Sequence, residues 1–245
     1  MKTSTPTSPG PKGPPSILLR GAPGSHKTTF SLQFPSVGIL DTDENLAGPE
    51  RYIREVLKKP IEYVYSRIRY DEADQPVHDQ KQWWTKYCND FNAMVKDPAI
   101  KTIVTDSLTG LDEVLLRRTM SDQGRTDEMR QQDWIPFRLK LREIMFKMRQ
   151  TGKANIVICH EESKKDREGN IIAYDIFLSS KLSDIFGWIF TDVWYIEAQP
   201  DIGGKQRPSK LFCSPVGLRK DLKNSSLMPQ EMEATFENVN KYLKL

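Results

Sequence analysis

The sequence predicts an α/β fold built on a mostly parallel central sheet flanked by helices. Three observations carry that expectation. Short apolar, β-branched runs recur along the chain, at Ile17–Arg20, Val37–Leu40, Thr102–Thr105 and Asn155–Cys159. Between them lie segments whose apolar residues return every three or four positions, the helical period. Each run ends in a glycine, an acid or a histidine, and in open α/β sheets ligands sit beyond the carboxyl ends of the strands.

The bulk properties bound the rest. A length of 245 residues permits one large α/β domain or two small ones. No internal repeat or second boundary is visible, so residues 16–245 are expected to form a single domain. A net charge of +3 excludes a wholesale basic signature, and any nucleic-acid contact has to come from local patches. Cys88, Cys159 and Cys213 have no metal-ligand spacing, and the last two lie in apolar runs as reduced core thiols do. With no signal peptide and no apolar run of transmembrane length, a cytoplasmic protein without membrane contact is expected.

Taken in order, residues 1–15 are Pro-, Ser-, Thr- and Gly-rich without apolar periodicity. They read as a disordered tail, or alternatively as a partner-binding arm. Ile17–Arg20 is the first strand, and Thr28–Phe34 a helix that Pro35 ends. Between them stand Gly21, Ala22, Pro23, Gly24, Ser25, His26, Lys27, Thr28 and Thr29. This stretch approximates the phosphate-loop template G-x-x-x-x-G-K-[ST], with Gly21, Lys27 and Thr28 in place and His26 where the second glycine belongs. A loop entering a helix N-terminus offers several backbone N–H groups and the positive end of the helix dipole to a phosphate. Lys27 would reach the β- and γ-phosphates, and the Thr28 hydroxyl would ligate Mg²⁺. The bland alternative is an ordinary strand-to-helix turn. His26 brings a β-carbon into a conformation it disfavours, although histidine enters positive φ more often than most residues.

Val37–Leu40 is the second strand, closed by Asp41-Thr42-Asp43-Glu44. Asp43, ahead of Glu44, is a candidate to orient or deprotonate an attacking water, or else caps the next helix. Pro49–Lys58 reads as a helix, Glu62–Ser66 as a strand and Arg67–Gln80 as a polar loop. Gln82–Lys96 is an amphipathic helix with Trp84, Tyr87, Phe91 and Val95 on one stripe. Thr102–Asp106 matches a Walker B strand, whose Asp106 would hold Mg²⁺ or its water, with Ser107 beside it. Leu108–Thr119 reads as a helix. Arg117–Gln132, with Arg117, Arg118, Arg125 and Arg130, is either a mobile nucleic-acid loop or a solvated one. Trp134–Met148 is a helix. Asn155–His160 is a strand whose His160 is either a γ-phosphate sensor or a rim histidine. Glu161–Ile172 reads as a second mobile loop. Asp192–Glu197 and Leu211–Cys213 are strands, and Lys205, Arg207, Lys210, Arg219, Lys220 and Lys223 make the C-terminal region locally basic. Met228–Leu245 is expected to be a terminal helix.

Gly21–Thr29, Leu40–Glu44, Thr105–Thr109 and Ile158–Glu161, in that order, resemble the RecA-like core of the AAA/RecA-type phage nucleotide-binding proteins. That family includes ATPases of single-strand annealing recombination. The likeness runs from about Ile17 to Lys223. It implies a RecA-like P-loop NTPase core, ATP and Mg²⁺ as cofactors, and DNA-stimulated hydrolysis. It also implies rings or filaments, single-stranded DNA and a single-stranded-DNA-binding protein as partners, and the host cytoplasm if the chain is phage-encoded. By position, Lys27 and Thr28 hold phosphate and Mg²⁺, Asp106 is the Walker B acid, Asp43 the water-activating acid and His160 the sensor. DNA would meet the loops after Thr119 and His160, and Lys181 would act on a neighbour's ATP. His26 departs from the pattern. It leaves open a nucleotide-gated, non-hydrolysing binding protein, or a related helicase or loader motor.

Overall fold

The computed structural model describes residues 13–125, 128–179, 188–200 and 207–245. Six strands form a parallel core: β1 (Ser16–Gly21), β2 (Val37–Asp41), β3 (Tyr63–Arg67), β4 (Thr102–Asp106), β5 (Ala154–Lys165) and β7 (Asp192–Glu197). Their spatial order is β7-β1-β5-β4-β2-β3. β8 (Lys210–Phe212) and β10 (Glu231–Glu233) extend it antiparallel beyond β7. β6 (Ile171–Ile176) pairs with β5, and β9 (Lys223–Asn224) with β7. This is the expected α/β fold, a mostly parallel central sheet sandwiched between helices.

Every residue of β1, β2 and β4 is buried, because helices cover both faces. Alternation then sorts the side chains. Leu18, Leu40, Ile103 and Val157 face α3 (Gln80–Lys96), α4 (Leu108–Asp122) and α5 (Trp134–Arg149). Ile17, Ile39, Val104 and Ile156 face α1 (Lys27–Ser31), α2 (Ala47–Glu55) and the C-terminal helix α6 (Phe236–Leu243). On α3, Tyr87, Phe91 and Met94 are the buried stripe.

Several expectations are corrected. α1 ends at Ser31, because Gln33 and Phe34 donate to carbonyls three residues back and tighten the chain ahead of Pro35. Residues 161–172 are largely not a loop: β5 continues to Lys165 and turns back as β6, the Glu161–Lys165 segment pairing with Ile171–Ile176. Its charges misled, since a two-stranded ribbon that projects beyond the carboxyl end of a central strand can carry polar side chains. Residues 228–245 are not one helix, because Glu231–Glu233 is captured by β8 before α6 begins. Arg117 and Arg118 lie within α4. Arg117 pairs with Glu113, Arg118 with Asp122 and Arg125 with Asp133, so this stretch presents few free cations among the described residues. Residues 1–12 of the tail, the 126–127 part of the Arg-rich stretch, Lys181 and Lys205 lie outside the described residues. Among the described residues, no helix is long and apolar enough to cross a membrane.

Candidate functional site

Register brings the strand ends together. Gly21 of β1 lies beside His160 of β5, and Asp106 of β4 beside Asp41 of β2. The loops that leave these ends meet in a cavity of about 330 Å³. It is lined by residues 23–29, together with Asp43, Asn45, Gly48, Pro49, Tyr52, Asp106 and His160. A larger cleft of about 540 Å³ lies between β3 and α3, away from this cluster.

The phosphate loop is built from local chemistry. Pro23 and Gly24, the latter at φ 78°, form a turn closed by Ser25 N–H donating to Ala22 C=O at 3.2 Å. His26 takes φ 67°, ψ 29°, the left-handed conformation that suits the template glycine, and is the residue before α1. No side chain caps α1, so its first N–H groups remain directed into the loop. The buried Lys27 ammonium donates to Gly21 C=O at 2.9 Å and Ala22 C=O at 2.8 Å, and burial lowers its pKa. Gly21 is required by packing, because a β-carbon there would overlap Ile196 C=O.

Facing the loop are the acids. Thr28 Oγ1 donates to Asp106 Oδ2 at 2.6 Å. Burial pushes the Asp106 carboxyl up to about 7, opposed by the Thr28 bond and reinforced by nearby Asp43 and Asp41. Asp43 accepts from His160 Nε2 at 3.0 Å and from Ser107 Oγ at 2.9 Å. Burial works against its ionisation, but the His160 and Ser107 bonds outweigh it and hold the carboxyl below its ordinary range. The loops after β2 and β4 are zipped together: Thr42 N–H donates to Asp106 C=O at 2.6 Å, Thr42 Oγ1 to Ser107 C=O at 2.9 Å, and Ser107 N–H to Thr42 Oγ1 at 2.7 Å. Asp41 accepts from the N–H groups of Asp43 and Glu44 and so shapes that turn.

Most of the sequence-derived candidates therefore converge. Pro23 to Thr29, Asp43, Asp106 and His160 share the cavity, and Gly21 and Ala22 hold the Lys27 ammonium from below. Glu44 does not join them. Its carboxylate lies 3.7 Å from Arg69 Nε and lines a separate hollow with Ala47 and Glu50. His160 lines the cavity, and its Nε2 meets Asp43 there. Sequence reasoning missed Gly110: a β-carbon there would overlap the Asp43 carboxylate and the Thr42 hydroxyl. The available signal was a glycine in the first turn of α4, where it costs helix stability. It also missed Thr42 and Tyr52, which carry no motif.

The donor set suits Mg²⁺. Thr28 and the neighbouring carboxylates are hard oxygen donors, and among the described residues no three His, Cys, Asp or Glu side chains form a self-sufficient metal cage. Mg²⁺ commonly takes one or two protein oxygens and completes its shell with phosphate and water.

No curated protein matches the chain. Among solved structures, the chain is similar to a KaiC-like protein of the hyperthermophilic archaeon Pyrococcus horikoshii OT3, at 15% identity and a TM-score of 0.42, covering 82% of this chain and 79% of that one. The family model described as "AAA domain" matches residues 14–212, from the residues before β1 through β8. That span holds the phosphate loop, both acids and His160, and the chain belongs to this AAA domain family of P-loop ATPases.

Proposed function

We propose that the protein binds and hydrolyses ATP with Mg²⁺, and that it does so on single-stranded DNA during recombination, annealing or replication. The observation that carries the hydrolytic part is Asp43, held ionised by His160 and Ser107 across the cavity from Lys27 and Thr28.

Each residue then has a task. The N–H groups opening α1 and the Lys27 ammonium bind phosphate oxygens. Thr28 and Asp106 would hold Mg²⁺, which neutralises phosphate charge. Asp43 accepts or directs the proton of the attacking water. His160 fixes the Asp43 carboxylate and, by its place in β5, joins the site to the β5–β6 hairpin, which carries Lys164, Lys165 and Arg167. That continuity supports coupling between hydrolysis and a strand-bound partner. Assembly into a ring or filament, with a second copy completing the site, belongs to the same reading, as does a single-stranded-DNA-binding protein as partner.

The test is ATP turnover by purified protein with Mg²⁺, with and without single-stranded DNA, beside Lys27→Ala. Turnover that rises with DNA and vanishes in Lys27→Ala is expected. Turnover indifferent to DNA, with no DNA binding in nucleotide, overturns the DNA part. Nucleotide binding without phosphate release overturns the hydrolytic part and leaves a nucleotide-gated binding protein.

A further inference from the structure

We infer that His26 is a positioning residue: its ring ties the phosphate loop to α2 through Tyr52 and to the segment entering β8 through Ser209. The functional consequence rests on the nucleotide-binding reading above; the tether itself does not.

A residue with a β-carbon persists in the left-handed region when surrounding contacts over-determine it. His26 has two such contacts, both from outside the loop. Its ring stacks on Tyr52 with centroids 4.7 Å apart and planes 26° apart. Its Nδ1 lies 3.0 Å from Ser209 Oγ, across a sequence separation of 183 residues. A hydroxyl both donates and accepts, so Ser209 satisfies Nδ1 in either tautomer of the ring. A glycine at this position would satisfy the backbone but make neither contact. The ring also forms a wall of the cavity that holds Lys27, Thr28 and Asp106, so its placement and the loop's shape are one variable. The departure from the phosphate-loop template is thus compensated by tertiary contacts that an ordinary glycine loop lacks.

Two explanations of His26 predict opposite signs. If His26 only strains a degenerate loop, His26→Gly relieves it, and nucleotide binds more tightly and turns over faster. If His26 is a tether, His26→Gly loosens the loop and weakens binding. The experiment compares wild type, His26→Gly, His26→Asn, Ser209→Ala and the His26→Gly/Ser209→Ala double variant. Asn tolerates the left-handed backbone yet lacks the ring.

Hydrogen exchange of residues 21–29 in the ligand-free protein is read first, then binding of a fluorescent ATP analogue with Mg²⁺. The expected result is faster exchange and about tenfold weaker binding in His26→Gly, the scale of one stack plus one hydrogen bond. KM should rise more than kcat falls. Ser209→Ala should show part of the effect, and the double variant no more than His26→Gly alone, because the shared bond is lost once. Unchanged exchange or tighter binding in His26→Gly overturns the tether, and so does full additivity of the two changes. If wild type binds no nucleotide, the functional reading fails, while the exchange comparison still decides the tether.

Discussion

Two clusters of largely buried ionisable groups lie near the carboxyl ends of the central strands, and their charges are balanced differently. On one side, Glu161 accepts from Arg20 Nε at 2.6 Å and from Arg219 at 2.9 to 3.1 Å. Asp221 and Tyr174 C=O take the remaining arms of Arg20, and Tyr174 and Tyr195 lie against the Arg219 guanidinium at 4.0 and 3.6 Å. Each charge there has an opposite charge in reach. On the other side, Asp41, Asp43 and Asp106 stand close together, and the nearest ammonium, on Lys27, is turned onto backbone carbonyls. Asp41 and Asp106 are both pushed up by burial. The closed cluster anchors the root of the β5–β6 hairpin. The unbalanced one is an electrostatic socket that a cation and phosphates would complete.

The largest effects should break the socket. Lys27→Ala removes the phosphate-binding ammonium, and a fall in ATP turnover of about a thousandfold is expected in a phosphate-release assay. Asp43→Asn keeps the shape but not the base. Turnover should drop about a hundredfold while binding of a fluorescent ATP analogue is retained, and a parallel loss of binding would show that Asp43 has another role.

On the closed side, Glu161→Gln strips the carboxylate from two arginines, one of them fully buried. It should cost about 3 kcal/mol in urea unfolding, the scale of a broken buried pair. A variant as stable as wild type would mean that this cluster is not the anchor described. Gly110→Ala tests the geometry between the two, because its methyl displaces Asp43 and Thr42. About tenfold slower turnover with ATP binding intact is the expected outcome.

The smallest effect separates the clusters by pH. The Asp106 carboxyl titrates near 3.8 when unfolded and near 7 in the fold. Between those values the folded state holds the extra proton, so this stability is full at acid pH and is lost as pH rises through 7. Asp106→Asn should therefore raise the Tm at pH 8 by several degrees while barely changing it near pH 4, read by thermal melts across pH. A variant that melts lower at pH 8 would contradict the raised carboxyl.

Much of this arrangement was legible in the sequence. Ile17–Arg20, Thr102–Asp106 and Asn155–Cys159 read as strands because residues buried on both faces make unbroken apolar runs. Lys27, Thr28, Asp43, Asp106 and His160 were found because phosphate chemistry needs a helix start and strand-end acids. The hairpin was not legible, since the charges of Glu161–Lys165 look the same in a solvated loop and in a ribbon projecting beyond the sheet. Gly110 stayed hidden because its neighbour Asp43 belongs to a different strand's loop.

What the sequence by itself determined was the succession of elements and the kinds of groups at their ends, because period and motif are properties of neighbours along the chain. The tertiary structure decided which of those groups meet. Register set Gly21 beside His160 and Asp106 beside Asp41. A turn shaped by Asp41 then sent Asp43 inward and left Glu44 with Arg69. His26 found Tyr52 and Ser209 only once β8 and α2 had closed around the loop. These are contacts through space between distant residues, and local pattern does not encode them.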